Sequence, residues 1–285
     1  MTNKLITKKQ HYYPRCLLKH FSDEQNKVNV YIRQAHKLSK MNYESICSSK
    51  YSYESEDIID NVLENKLCTY ESKMGAIIDY ILKNMTAEDF IVTKEQQEFL
   101  YLYMWLQYLR TDAGRINFVT MYENMPFYNP RTSPIELEEI QANRVKILKF
   151  NKLFKQEKVL ETYLKNFEKP ETMNFHIAIS EENLLTSDNP VIGTDEWKRI
   201  ILPICPFFCI EFIDSSIDNA KTMFIKLTPD NIKYLNEATI NTANYFVISN
   251  EPFTIPQNTY LYNRFKNKNW TFGRPHFNIQ DLKKT

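Results

Sequence analysis

The hydrophobic pattern changes period near Pro170, and this change constrains the fold more than any other feature of the chain. Upstream of it, apolar residues recur at helical spacing. Downstream, they alternate as strands do. Helices and strands segregated in this way define an α+β architecture. The expectation is a helical central region over about 58–168 and a β-rich C-terminal half over about 172–285. Both parts are expected to belong to a single domain, 1–285, sharing one core and one cleft.

In the helical region, residues 58–83 place Leu63, Leu67, Tyr70, Met74, Ile77, Ile78 and Ile81 within roughly 100° of one another on a helix turning 100° per residue. Glu64 and Glu71 share the edge of that stripe, beside Ile78 and Leu82. A carboxylate there can face solvent or reach into a cleft. A second helix starts near Thr93, which with Gln96 forms a capping box. It is apolar on every side over 99–106, the mark of a buried helix. Its last turn carries Gln107 and Arg110, which point the same way, and Thr111-Asp112-Ala113-Gly114 ends it. A buried arginine is costly without a partner, so an acidic group or an anionic ligand is expected to meet Arg110. Ser133-Pro134-Ile135-Glu136 reads as a third helix start, with serine as cap and glutamate completing the box. A helix running from there to Phe167 would be about 50 Å long, so a break is expected near Asn151.

Strands are expected at 28–32, 175–179, 200–204, 207–212, 222–227 and 245–249, with a turn at Ser187-Asp188-Asn189-Pro190. A helix opens at Thr228-Pro229 and runs to about Thr242. Residues 39–56 read as loop with at most a short helix. The last stretch is aromatic and basic, with Tyr260, Tyr262, Arg264, Phe265, Trp270, Phe272 and Arg274. It could form a local phosphate- and base-contacting patch or a packed subdomain.

Composition removes several function classes. The 36 basic and 35 acidic residues give a net charge of +1, which is no broad nucleic-acid footprint. No run of 18 apolar residues exists, so a membrane span is not expected. The segment from Met1-Thr2-Asn3-Lys4 to Lys8-Lys9-Gln10 lacks the apolar stretch of a signal peptide, which points to the cytoplasm. Only four glycines occur, Gly75, Gly114, Gly193 and Gly273. A phosphate-cradling loop, a dinucleotide fingerprint and the serine-hydrolase elbow are therefore absent, and no nucleotide-cofactor motif remains. The five cysteines contain no Cys-x-x-Cys and read as free thiols; Cys205 and Cys209 fall in an apolar run suited to a core. No His-Glu-x-x-His motif or clustered His-Cys zinc signature is present.

The densest cluster of chemical side chains is His11-Tyr12-Tyr13-Pro14-Arg15. Histidine titrates near neutrality, and arginine grips carboxylates or phosphates in bidentate fashion. Asp188 and Asn189 sit in a turn that would present a carboxylate at a strand end, although both are also ordinary turn residues. Asp188 with Glu196-Trp197-Lys198 loosely matches the Asp…Glu-x-Lys core of metal-dependent nucleases. That core needs a buried strand at its second part, whereas Trp197 is flanked by charge.

These residues, in order, resemble an uncharacterised and mostly bacterial family, domain-of-unknown-function family 4238. His11-Tyr12-Tyr13-Pro14-Arg15 with Leu18-Lys19-His20-Phe21 looks like its opening motif. Glu64 and Glu71 fit its paired glutamates. Gln107-Tyr108-Leu109-Arg110-Thr111 fits its Gln-x-x-Arg-Thr helix end, and Thr186-Ser187-Asp188-Asn189-Pro190-Val191 its turn. Leu202-Pro203-Ile204-Cys205-Pro206 resembles its Leu-Pro-x-x-Pro strand, with cysteine where serine is common. Asn236 and residues 245–249 fit its C-terminal pattern. Some relatives are associated with bacterial antiviral defence, so the resemblance implies a toxic effector of unassigned reaction.

The matching positions are mostly polar, which core packing does not require. One shared site is therefore expected from His11, Arg15, Glu71, Arg110 and Asp188, with Gln107, Asn189 and Glu64 supporting it. The expected activity is hydrolysis of nucleic acid or a nucleotide. In that reading His11 is the acid or base, Arg15 and Arg110 hold phosphate oxygens, and Glu71 and Asp188 orient a base or bind Mg²⁺ or Mn²⁺. A different class fits the same residues: a non-catalytic sensor that binds an anionic small molecule or phage component. In a third reading, Arg110–Glu71 and Arg15–Asp188 are structural ion pairs.

Overall fold

A computed structural model describes residues 6–56, 58–128, 131 and 133–267. In chain order the elements are β1 (Lys9–His11), α1 (Arg15–Leu18), β2 (Lys27–Ile32), β3 (Lys37–Asn42), β4 (Ser48–Lys50), α2 (Val62–Asn84), α3 (Lys94–Leu109) and α4 (Asp112–Asn124). They continue with α5 (Leu137–Ala142), α6 (Arg144–Lys155), α7 (Val159–Leu164), β5 (Met173–Ile179), β6 (Thr186–Ser187), β7 (Ile192–Thr194) and β8 (Arg199–Cys205). The last are β9 (Phe208–Asp214), β10 (Phe224–Lys226), α8 (Pro229–Thr242), β11 (Phe246–Ser249) and α9 (Ile255–Phe265). The architecture is α+β, with helices in the middle and sheets in the C-terminal half. No helix among the described residues is long and apolar enough to cross a membrane. Trp270, Phe272 and Arg274 lie outside the described residues.

The chain divides into two compact units. The first holds the chain up to Cys16, Cys47–Arg131 and Ile135–Lys169; the second holds Leu17–Ile46, Pro134 and the chain from Pro170 onward.

In the first unit, β1 and β4 pair as a small antiparallel ribbon beside helices α2 to α7. Helix α2 buries the expected stripe, Leu63, Leu67, Met74, Ile77, Ile78 and Ile81, while Tyr70 is only half-buried. The capping box of α3 forms as its sequence dictates: Gln96 N–H donates to Thr93 Oγ1 at 3.2 Å, and Thr93 N–H to Gln96 Oε1 at 2.8 Å. Thr111 ends α3 and also caps α4, accepting from Gly114 N–H at 3.0 Å. Residues 111–114 thus begin a helix as well as ending one. Gly114 makes the tight joint possible, because a Cβ there would lie 1.9 Å from the Tyr108 carbonyl oxygen.

The third helical stretch starts later than expected, at Leu137. Glu136 caps it and Glu139 closes the box, and Arg131 grips both oxygens of Glu139 at 2.9 and 3.1 Å. The breaks fall at Asn143 and at Lys158, which has φ 60°, and not at Asn151. Asn151 lies inside α6 because its side chain has backbone to hold: it donates to the carbonyls of Ser52 at 3.0 Å and Glu54 at 2.8 Å.

In the second unit, a five-stranded sheet runs β10-β5-β9-β8-β7 and a four-stranded sheet runs β3-β2-β11-β6. Strand β3 falls where a loop was expected. Its sequence is polar and it lies at the sheet edge, where burial imposes no apolar alternation. Helix α8, capped by Thr228 as expected, packs between the sheets. Ile232, Leu235 and Ala238 meet Ala178, Ile201 and Cys209 of the larger sheet. Ile240 meets Tyr31, Leu185 and Val247 by the smaller one, where Phe253 and Leu261 close the cluster. Cys209 belongs to this core, as its apolar surroundings suggested.

Candidate functional site: a carboxyl cluster beside an arginine clamp

The polar centre of the first unit is built on backbone carbonyls. The β1 segment leads into Pro14 and presents the carbonyls of His11 and Tyr12 to the end of α3. Gln107 Nε2 donates to the Tyr12 carbonyl at 2.9 Å, and Arg110 Nη2 to the His11 carbonyl at 2.5 Å. Arg110 Nε donates to the Tyr53 hydroxyl at 2.9 Å, and that hydroxyl donates to the His11 carbonyl at 3.1 Å. Arg110 Nη1 lies 2.6 Å from Glu71 Oε1. Arg110 is 1% exposed. Burial works against its charge, but Glu71 and Tyr53 more than offset that and keep the guanidinium protonated. Burial likewise pushes the Tyr53 phenol up to about 12, against the pull of Arg110 and Arg115. A neutral phenol can accept from Arg110 and donate to His11 at once.

Arg110 is therefore a clamp that joins the opening motif, Tyr53 and α2. The expected acidic partner is present, and each side of the guanidinium has a protein partner. The order of the polar residues follows from this: the His11–Tyr12 backbone and the Gln107/Arg110 pair need each other.

Glu64 lies two turns before Glu71 on α2 and is 9% exposed. Its Oε2 is buried with no hydrogen-bond partner. Burial pushes its carboxyl up to about 7; Arg110 pulls it down, and Glu71 and Glu54 push it further up. Between the two glutamates, Cys68 has its thiol raised to about 11 by burial and then by Glu71 and Glu64. It is thus a thiol at neutral pH and a poor nucleophile. Arg15, on α1, is exposed and close enough to Cys68 to oppose that rise. The His11 side chain is half-buried, and its backbone carbonyl is the atom the clamp uses.

Asp188 and Asn189 belong to the second unit and hold a turn there. Asp188, 2% exposed, accepts backbone N–H groups from Asn244 at 3.2 Å, Tyr245 at 2.9 Å and Phe246 at 2.8 Å. Burial raises its carboxyl to about 6, and these three donors hold it below where burial alone would put it. Asn189 Nδ2 donates to the Thr242 carbonyl at 2.7 Å and to Asn244 Oδ1 at 2.6 Å. The pair ties the 186–191 turn to the link between α8 and β11. Asp188→Asn keeps the shape but removes the charge from Oδ1, which accepts all three N–H groups, and puts an NH2 where Oδ2 lies 3.2 Å from the Asn244 N–H. It is expected to cost about 3 kcal/mol, read as a lowered unfolding midpoint in urea; an unchanged midpoint would show that the turn does not depend on the carboxylate.

Glu196-Trp197-Lys198 is a turn between β7 and β8, with Asp195, Glu196 and Trp197 at φ of 51°, 57° and 68°. It is not the buried strand that a nuclease core needs. The indole lies over Gly193, where a Cβ would come within 2.4 Å of the ring.

Several polar residues of the first unit escaped the sequence reading. Glu54, 3% exposed, accepts from Gln10 Nε2 at 2.9 Å and from Lys155 Nζ at 2.6 Å. Arg115, fully buried, donates to the Ser52 carbonyl at 2.6 Å and to Asp112 at 2.6 Å. Ser52, Tyr53 and Glu54 lie in a stretch without period, so no local signal marks them as central. Among the described residues, no group of three or more His, Cys, Asp or Glu side chains could hold a metal ion.

Fold and site together define an α+β protein whose opening segment is locked by an arginine clamp next to an acidic helix face. The chain belongs to the DUF4238 family, described as a protein of unknown function, whose model matches residues 9–252. No curated protein and no solved structure matches the chain.

Proposed function

We propose that the protein is a cytoplasmic effector hydrolase acting on a nucleotide or nucleic acid, with Glu64 as its general acid–base group. The carrying observation is Glu64 itself: a buried carboxyl oxygen without a protein partner, on a group that titrates at about 7. A catalytic acid or base works best when its pKa lies near the operating pH. A purely structural glutamate gains nothing from this placement, because burying an unsatisfied carboxyl is destabilising.

In this reading Glu64 takes a proton from water as the water attacks phosphorus. Arg15 supplies the cation for the phosphate, being exposed and near Cys68, which lies between Glu64 and Glu71 on α2. Arg110 is a positioning residue that holds Glu71 and the His11 segment, with Gln107 as its companion. Glu71 keeps Glu64 high by repulsion. His11 protonates the leaving group. Asp188 and Asn189 enter only through the turn they hold.

The test is purified protein incubated with ribonucleotides, deoxyribonucleotides, RNA and DNA, with and without Mg²⁺, Mn²⁺ or EDTA, between pH 5.5 and 8.5. The rate should rise through about pH 7 as Glu64 loses its proton, and Glu64→Gln should lower it by about 10²–10⁴-fold. In induced cells, wild type should arrest growth and deplete one pool, and Glu64→Gln should not. Saturable one-to-one binding without turnover on every substrate would instead support the sensor reading. A rate unaffected by Glu64→Gln would remove Glu64 from the mechanism.

A further inference from the structure

We propose that the second unit carries a separate binding site for a small neutral polyol of pentose size, centred on His176 and Glu211. These residues face each other directly across β5 and β9, in register. Each is 1% exposed. They line a cavity of about 330 Å³, together with Arg199, Asp218, Thr228 and Asn231. That volume is at the small end of ligand pockets.

The hydrogen bonding says what the cavity needs. His176 Nδ1 lies 2.7 Å from the Thr222 carbonyl oxygen, which can only accept, so Nδ1 carries the proton. In the neutral ring, Nε2 is then an acceptor. It is buried and has no hydrogen-bond partner. Glu211 Oε1 is held by Arg199 Nε, while Glu211 Oε2 is also buried without a partner. Two acceptors thus lack donors, on side chains that start about 5 Å apart on neighbouring strands. Native proteins rarely leave such atoms unsatisfied.

The ligand must bring two donors spaced to fit, which adjacent hydroxyls on a sugar do. It should be neutral, because the charges of the lining cancel: Arg199 and Lys226 offset Glu211 and Asp218, which leaves no excess charge for an ammonium or an anion. Asn231, in the first turn of α8, offers an amide that can donate to or accept from a third hydroxyl. Nothing in the hydrolytic reading uses these residues, so this site stands or falls independently of it.

The test uses the full chain with D-ribose, glycerol, ethanolamine and inorganic phosphate as probes. Binding is read by thermal shift and by ¹⁵N NMR of histidine side chains. Ribose should give a saturable rise in melting temperature and shift the unprotonated Nε2 resonance of His176. His176→Phe should weaken ribose binding at least about tenfold. Glu211→Gln should do the same; if it fails to fold because Arg199 is stranded, the NMR shift in the unaltered protein still decides. Response to ethanolamine or phosphate but not to ribose or glycerol would overturn the polyol assignment. No response to any probe, as when water alone satisfies the two acceptors, would overturn the site.

Discussion

Arg110→Met lowers the stability of the protein by about 3–5 kcal/mol, the usual cost of removing one partner from a buried ion pair. The reason lies in what remains. Glu71, the Tyr53 hydroxyl and the His11 carbonyl all lose a charged donor, and Arg110 is 1% exposed, so little water can replace it. Methionine fills most of the volume, which separates lost hydrogen bonds from an empty cavity. Arg110→Lys is expected to rescue little, because one ammonium cannot serve three acceptors in a planar fork. Loss of a residue that only held phosphate oxygens would cost activity and little stability. The three protein partners place the expected cost in the fold instead. A chemical-denaturation midpoint for Arg110→Met within error of wild type would show that the clamp is dispensable.

Glu64→Gln has the opposite sign: it is expected to stabilise the protein above pH 7. The folded state holds the Glu64 proton with a pKa of about 7, against 4.5 for an ordinary glutamate. Its contribution to stability is fully present below the unfolded value and is lost as pH rises through the folded one. Over that interval of about 2.5 units the loss amounts to about 3 kcal/mol. Glutamine resembles the protonated acid and does not ionise, so it escapes the loss. Melting curves of wild type and variant, followed from pH 5 to pH 8, should diverge, with the variant increasingly ahead. Curves that stay parallel would mean that Glu64 does not titrate in this window and would remove the basis for its proposed role. Gained stability together with lost turnover would show a residue kept at a cost to the fold.

Much of the secondary structure was legible because local chemistry decides it. The Thr93–Gln96 box, the Thr228-Pro229 start of α8 and the stripe of α2 all depend on neighbours within a turn or two. Errors came where a distant partner intervened. The third helical stretch is capped by Glu136 and not Ser133, with Arg131 fastened to Glu139 in its first turn, and Asn151 stays helical because it holds the backbone of Ser52 and Glu54. β3 carries no alternation because its edge position asks for none.

The candidate site divides in the same way. Sequence marked Glu64, Glu71, Gln107 and Arg110, since a buried arginine in an apolar helix demands an acid and polar residues at helical spacing share a face. It could not say that Arg110 would spend its donors on Tyr53 and the His11 carbonyl, because Tyr53 lies in a stretch without period. Nor could it single out His176 and Glu211. Each lies in a mostly apolar strand, and only the register of β5 against β9 sets them opposite each other. The sequence by itself determined the fold class, most helices and strands, and the family, because periodicity, caps and ordered motifs are properties of neighbouring residues. Only the tertiary structure decided which polar groups find partners and which do not, because hydrogen bonds and burial depend on residues brought together from far along the chain.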